Sequence, residues 1–183
     1  IRDFNPLCDF FIINISSPNT KGLRDLQSKK FIVELMKEAK KLAQKPILLK
    51  ISPDMSEKDA LNLCEEALNL GIVGFIIANT SVDYSLLDNN RTFGGISGRL
   101  IEQKSGAFFK ALSKELFGKA LLVASGGIDS AEIAYERIKC GANLVQVYTG
   151  LVFKGPTLVR DINKGLLQLL KKDGFLHISE AVG

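Results

Sequence analysis

The sequence predicts an α/β fold of successive β/α units with parallel strands, and three observations carry that expectation. Short apolar runs alternate with longer stretches of helical periodicity from one end of the chain to the other. The runs are short and continuous rather than alternating, as in strands buried on both faces of a parallel sheet. Each run also gives way to polar or glycine-rich residues, where the carboxyl end of a strand would open into a loop.

The first run, Phe10-Phe11-Ile12-Ile13, leads into Asn14-Ile15-Ser16-Ser17-Pro18-Asn19-Thr20-Lys21-Gly22-Leu23. Asn14, Ser16, Ser17, Asn19 and Thr20 crowd amide and hydroxyl groups into a few positions. Such a loop is either a capped turn or a set of groups converging on one small polar ligand. Ser28 then caps a helix with Phe31, Ile32, Leu35, Met36, Ala39 and Leu42 at helical spacing, and Pro46 ends it. The second strand, Ile47-Leu48-Leu49-Lys50-Ile51, carries a lysine near its end. Ser56 caps the second helix, and Gly71 supplies its left-handed stop. Gly74-Phe75-Ile76-Ile77-Ala78-Asn79-Thr80 is the third strand, apolar until its last two residues.

A polar stretch over residues 81–93 reads as a surface loop or lid, and Gly94-Gly95-Ile96-Ser97-Gly98 leads from it into a third helix. The fourth strand, Ala120-Leu121-Leu122-Val123-Ala124-Ser125, closes on Gly126-Gly127. Asp129 or Ser130 caps the next helix, over residues 131–140, and Gly141 stops it. The fifth strand, Leu144-Val145-Gln146-Val147-Tyr148, ends in Thr149-Gly150, and a last helix covers residues 156–172.

Five units joined by right-handed crossovers form one parallel sheet, and no linker or composition shift divides the chain. The sheet is either open and doubly wound or part of a (β/α)8 barrel, a fold that takes about 250 residues when whole. This chain has 183. Both architectures place ligands at the carboxyl ends of the strands.

Composition narrows the chemistry. The chain is 46% hydrophobic and 24% charged, which suits a globular core, and no run of 18 or more apolar residues crosses a bilayer. Its net charge of +4 is mild, and lysines such as Lys37, Lys40 and Lys41 decorate a helix, so no nucleic-acid partner is expected. Cys8, Cys64 and Cys140 lie far apart without a C-x-x-C pair, the pattern of reduced thiols. His177 is the single histidine, which argues against histidine triads and multi-histidine metal sites. No metal is expected.

Lys50 is the most informative single residue. With Leu48, Leu49 and Ile51 around it, the ammonium must neutralise, snorkel out or meet an anion. A strand-end lysine can face developing negative charge, as on a reduced flavin or an enolate. Schiff-base chemistry would want a second lysine or a carboxylate at a neighbouring strand end, and none is present. The clusters Gly94-Gly95-Ile96-Ser97-Gly98 and Gly126-Gly127 each precede a helix, where glycine and free N–H groups suit a phosphate or simply make tight turns. Their spacing matches neither a P-loop nor a Rossmann fingerprint.

Taken together, the Asn14–Leu23 loop, Leu49-Lys50-Ile51-Ser52-Pro53, Ala78-Asn79-Thr80, Gly94-Gly95-Ile96-Ser97-Gly98, Ser125-Gly126-Gly127-Ile128 and Val147-Tyr148-Thr149-Gly150 resemble the successive motifs of the dihydroorotate dehydrogenase family. They fall in that family's order and span essentially the whole chain. The family's quinone-reducing class 2 members carry serine where soluble class 1 members carry cysteine, and Ser17 resembles class 2.

The resemblance implies a (β/α)8 TIM barrel of which residues 1–183 supply about the last five β/α units, within a single FMN-binding domain. It implies oxidation of (S)-dihydroorotate to orotate in pyrimidine biosynthesis, with FMN taking the hydride and a quinone the electrons. By resemblance, Ser17 would take the C5 proton and Thr20 would help pass it on. Asn14, Asn19, Asn79 and Thr80 would hold the pyrimidine. Asn14, Lys50, Ala78, Gly98, Gly127, Tyr148 and Thr149 would bind FMN, with Lys50 near its pyrimidine edge and the last four at its phosphate.

Two departures from the family are expected to matter. Ala78 stands where threonine is common. The family's first barrel strands and the class 2 helices that lie on the membrane have no counterpart in these residues, so the segment alone is expected to be inactive. Through those helices the resemblance implies peripheral membrane association, on the cytoplasmic face of the inner membrane in a bacterium or on the mitochondrial inner membrane in a eukaryote. A different flavin barrel and a non-catalytic phosphate- or flavin-binding half barrel are the competing readings. A class 1 relative would favour cysteine at position 17.

Overall fold

Residues 1–17, 29–88 and 92–183 are described by the computed structural model, the side chains of Lys29 and Lys30 excepted. Five strands, β1 (Phe11–Asn14), β2 (Ile47–Ile51), β3 (Gly74–Ile77), β4 (Leu121–Ser125) and β5 (Leu144–Gln146), form one sheet. Every pairing is parallel, and the strands lie in sequence order β1-β2-β3-β4-β5. A doubly wound sheet reverses its strand order at a switch point. Here there is no reversal, so the sheet is an arc of a barrel.

Helices α1 (Lys29–Leu42), α2 (Glu57–Asn69), α3 (Glu102–Leu116) and α4 (Ala131–Lys139) follow strands one to four. They pack in sequence along one face of the sheet. Ser56 caps α2 by accepting the Asp59 N–H at 3.1 Å, and Gly71 ends it with φ +81°. Of the two residues able to cap α4, Ser130 does so, accepting from Ile133. The expected Ser28 cap of α1 lies outside the described residues.

The end of the chain differs from expectation. The fifth strand stops at Gln146, because its partner β4 ends at Ser125, the residue paired with Gln146, and Gly126 then turns away with φ +106°. A short helix, α5 (Thr149–Lys154), begins at once, and Gly155 breaks it. The last helix, α6 (Leu158–Asp173), therefore starts two residues later than Pro156 suggests.

Strand register sorts the side chains into two faces. Leu49, Ile51, Phe75, Ile77 and Leu122 point into the main core, beneath Met36, Ala60, Phe109 and Leu112 of the helices. The alternate residues Leu48, Ile76 and Val123 form a second, small buried cluster on the inner face of the arc. Asn14 pairs with Lys50 and Lys50 with Ile76, so Asn14 and Lys50 belong to this inner face. Fold and site are linked by that parity: what is inward at the strand tips is polar.

Candidate functional site

The loops at the carboxyl ends of β2 to β5 enclose a cleft of about 560 Å³. Lys50, Ala78, Asn79 and Thr80 line one part of it, and Gly98, Gly127, Tyr148 and Thr149 another. The structure therefore brings together six of the seven expected cofactor residues and two of the four expected substrate residues. The seventh, Asn14, touches the cleft through Asn79, whose Nδ2 donates to Asn14 Oδ1 at 3.0 Å. Ser17 is half-buried at the end of the described part of the β1 loop. Asn19 and Thr20 lie outside the described residues.

At the end of the cleft nearest β1 and β2 the hub is Ser16, which is 1% exposed. Its hydroxyl donates to the Lys50 carbonyl at 3.0 Å and accepts from Asn79 Nδ2 at 2.9 Å. Asn79 Oδ1 in turn accepts the Thr80 N–H at 2.8 Å. These bonds fix the Asn79 amide plane, while the Asn14 amide nitrogen has no hydrogen-bond partner among the described residues. In sequence Ser16 is one of several polar loop residues, and the fold makes it the internal one. The signal was parity: Asn14 points inward, so Ser16 follows it to the same side.

Lys50 extends from β2 into the cleft, and burial lowers the pKa of its ammonium. Among the described residues no carboxylate pairs with it. A half-buried cation among amide and hydroxyl groups is suited to an anionic or electron-rich ligand.

The opposite end of the cleft is built by three loops in close contact. Gly98 has φ +74°, and a Cβ there would lie 2.8 Å from Thr149 Cγ2. Thr149 Oγ1 donates to Ser97 Oγ at 2.9 Å, which joins the loop after β3 to the start of α5. Asp129, also considered as a helix cap, instead sits between Arg99 at 3.1 Å and Lys154 at 3.6 Å. Lys154 also donates to the Asp129 carbonyl at 2.8 Å. One carboxylate thus ties the loop after β4 to Arg99 beyond the β3 loop and to the end of α5. Tyr148 and Phe153 stand exposed at the rim.

A second network braces the β2 and β3 loops from outside the cleft. Lys104 of α3 reaches Asp54 at 2.8 Å, Ser81 at 3.0 Å and Asp83 at 3.2 Å. Burial pushes the Asp54 carboxyl up, but hydrogen bonds from Lys104 and Ser81 outweigh it and leave the pKa below its usual value. Beyond Ser81 the loop is closed by an antiparallel bridge between Ser81 and Ile96. His177, away from the cleft, caps the final 3₁₀ turn. All three cysteines are free. Among the described residues no group of three His, Cys, Asp or Glu side chains could hold a metal ion.

A parallel β/α arc with one donor-rich cleft at the carboxyl ends of its strands defines a protein of the barrel class, with its ligand site at the barrel mouth. The particular family follows from comparison with known proteins. The family model described as dihydroorotate dehydrogenase matches residues 1–170, and the chain belongs to that family. It is 58% identical over 183 residues to the dihydroorotate dehydrogenase (quinone) of Nitratiruptor sp., covering all of this chain and 52% of that protein. It is 57% identical over 180 residues to the protein of the same name from Sulfurovum sp., covering 98% of this chain and 51% of the relative. Among solved structures, it resembles that of DHODH from Eimeria tenella in complex with ferulenol. The TM-score is 0.88 at 29% identity, over 98% of this chain and 54% of the other. The chain thus spans about half the length of the relatives it matches.

Proposed function

We propose that this chain forms the greater part of the active site of a flavin-dependent enzyme that oxidises (S)-dihydroorotate to orotate and reduces a quinone, a step of pyrimidine biosynthesis. The single observation that carries the reading is the convergence of Lys50, Asn79, Gly98, Gly127 and Thr149 on one cleft. The donor set fits FMN: a lysine without a carboxylate at one end, and glycine turns with close loop packing at the other. Lys50, Gly98, Gly127 and Thr149 would hold FMN there, and the bound flavin would supply the hydride acceptor and the link to the quinone.

The chain's own residues do the rest. Asn14, Asn79 and Thr80, with Asn19 beyond the described residues, hold the pyrimidine ring: the Asn14 amide nitrogen is left as a donor, and Asn79 Oδ1 keeps one lone pair as an acceptor for an imide edge. Ser17 removes the proton from C5 as the hydride leaves C6, which forms the C5–C6 double bond of orotate. A serine hydroxyl is a weak base, so Thr20 is assigned to the relay that carries the proton away. Lys50 contributes its positive charge at the pyrimidine edge of the flavin. Gly98, Gly127, Tyr148 and Thr149 hold the phosphate, largely by backbone N–H groups.

The remaining β/α units expected of the barrel would pair with β1 and β5. They would also cover the inner-face residues Ile12, Leu121 and Leu144, which are 41%, 37% and 57% exposed. The quinone in the relatives' names supports peripheral association with the inner membrane, bacterial or mitochondrial. No helix among the described residues is long and apolar enough to cross a membrane. The test is Ser17→Ala in the full-length protein. Dihydroorotate oxidation falls at least about a hundredfold while the yellow flavin stays bound, the scale of a lost general base. Unchanged turnover refutes the assignment.

A further inference from the structure

We infer that Ser105, a residue of α3 outside the cleft, is a positioning residue that aims the Gly127 N–H at the cofactor phosphate. Ser105 is 1% exposed and lies behind the loop that follows β4, while Gly126 and Gly127 line the cleft in front of it. Its hydroxyl donates to the Gly126 carbonyl oxygen at 2.8 Å, the shorter of two contacts, with the Glu102 carbonyl of its own helix at 3.1 Å. The Gly126–Gly127 peptide is trans, so its C=O and N–H point in opposite directions. Holding the carbonyl against α3 turns the Gly127 N–H away from the helix and toward the cleft. Among the described residues that N–H makes no hydrogen bond, although Gly127 itself is buried.

The floor under this peptide is rigid. Gly127 has φ +73°, and a Cβ on it would collide with the Glu102 Cα at the start of α3. Glu102 is in turn clamped by Arg137 of α4, whose Nη2 donates to the Glu102 carbonyl and carboxylate, at 2.8 Å each. Gly106 makes room for that guanidinium, since a Cβ there would overlap it. The first turn of α3 therefore fixes the loop by packing, and Ser105 adds what packing lacks, the sense in which the peptide plane faces. Without the hydroxyl the plane is free to rotate, and its carbonyl can turn toward the cleft, where it would repel a phosphate.

This inference rests on the FMN reading of the cleft, and a two-ligand experiment separates the two. The full-length protein, freed of flavin, is titrated with FMN and with riboflavin, which has the same ring but no phosphate, and flavin fluorescence reports binding. In the wild type FMN binds much more tightly than riboflavin. Ser105→Ala weakens FMN about tenfold, the scale of one charge-assisted hydrogen bond, and leaves riboflavin unchanged. Equal weakening of both ligands, or no change in FMN, overturns the positioning role. A wild type indifferent to the phosphate overturns the reading of the cleft itself. Should the alanine variant fail to fold, Ser105→Cys, similar in size but a far weaker donor, is read by the same outcomes.

Discussion

Lys50 shows how much a single side chain can decide. A lysine between Leu49 and Ile51 is costly unless something compensates its charge, and burial does lower its pKa. Replacing it with alanine removes a desolvation cost, so stability should hold, while the full-length protein loses about tenfold or more in flavin affinity or in the rate of flavin reduction, the scale of a lost charge contact. Absorption and stopped-flow reduction measure both. A fully yellow, fully active Lys50→Ala protein would mean that the ammonium merely snorkels to solvent. The sequence alone left that choice open, because inward and outward faces of a strand are set by partners many residues away. Ser16 is the converse case: its residue type was plain, but its three-way role required Lys50 and Asn79 to be folded beside it.

At the scale of elements, the loops rather than the strands carry the adjustable energy. The Asp54–Lys104–Ser81 network joins the β2 loop, the β3 loop and α3, with the Asp54 side chain 17% exposed. Since the Asp54 pKa is depressed in the folded protein, its contribution is present above the unfolded carboxylate value, about pH 4, and is lost as pH falls through the lower folded value. Asp54→Asn should therefore lower the thermal midpoint of the full-length protein at pH 7 by about 2–4 °C, and the gap between variant and wild type should shrink toward pH 3. A gap that is the same at both pH values would show that the ionised carboxylate contributes nothing. Helix caps and stops were legible at this scale, as Ser56 and Gly71 show, because they depend on neighbours in sequence. The end of β5 and the start of α5 were not, because a strand stops where its partner stops, and β4 ends at Ser125.

For the whole molecule, the sequence supported two architectures until the strand tips were weighed, and the strand order separates them. Five parallel strands in sequential order make an arc whose inner face is apolar below, at Leu48, Ile76 and Val123, and polar at the rim. That gradient follows from what each layer meets: other side chains at depth, an open cleft at the mouth. The glycine loops read as ordinary turns one at a time. Their meaning appears when Gly98 packs on Thr149 and Asp129 bridges Arg99 and Lys154, contacts between residues that lie far apart in the chain.

On the proposed function, these strand tips share one pocket around a flavin and a dihydropyrimidine. The most direct measurement is the anaerobic absorption spectrum of the full-length protein before and after addition of (S)-dihydroorotate. A flavin band that bleaches on addition, and recovers when a quinone is supplied, is the predicted result. A protein without a flavin band, or one whose band is untouched by dihydroorotate, would contradict it.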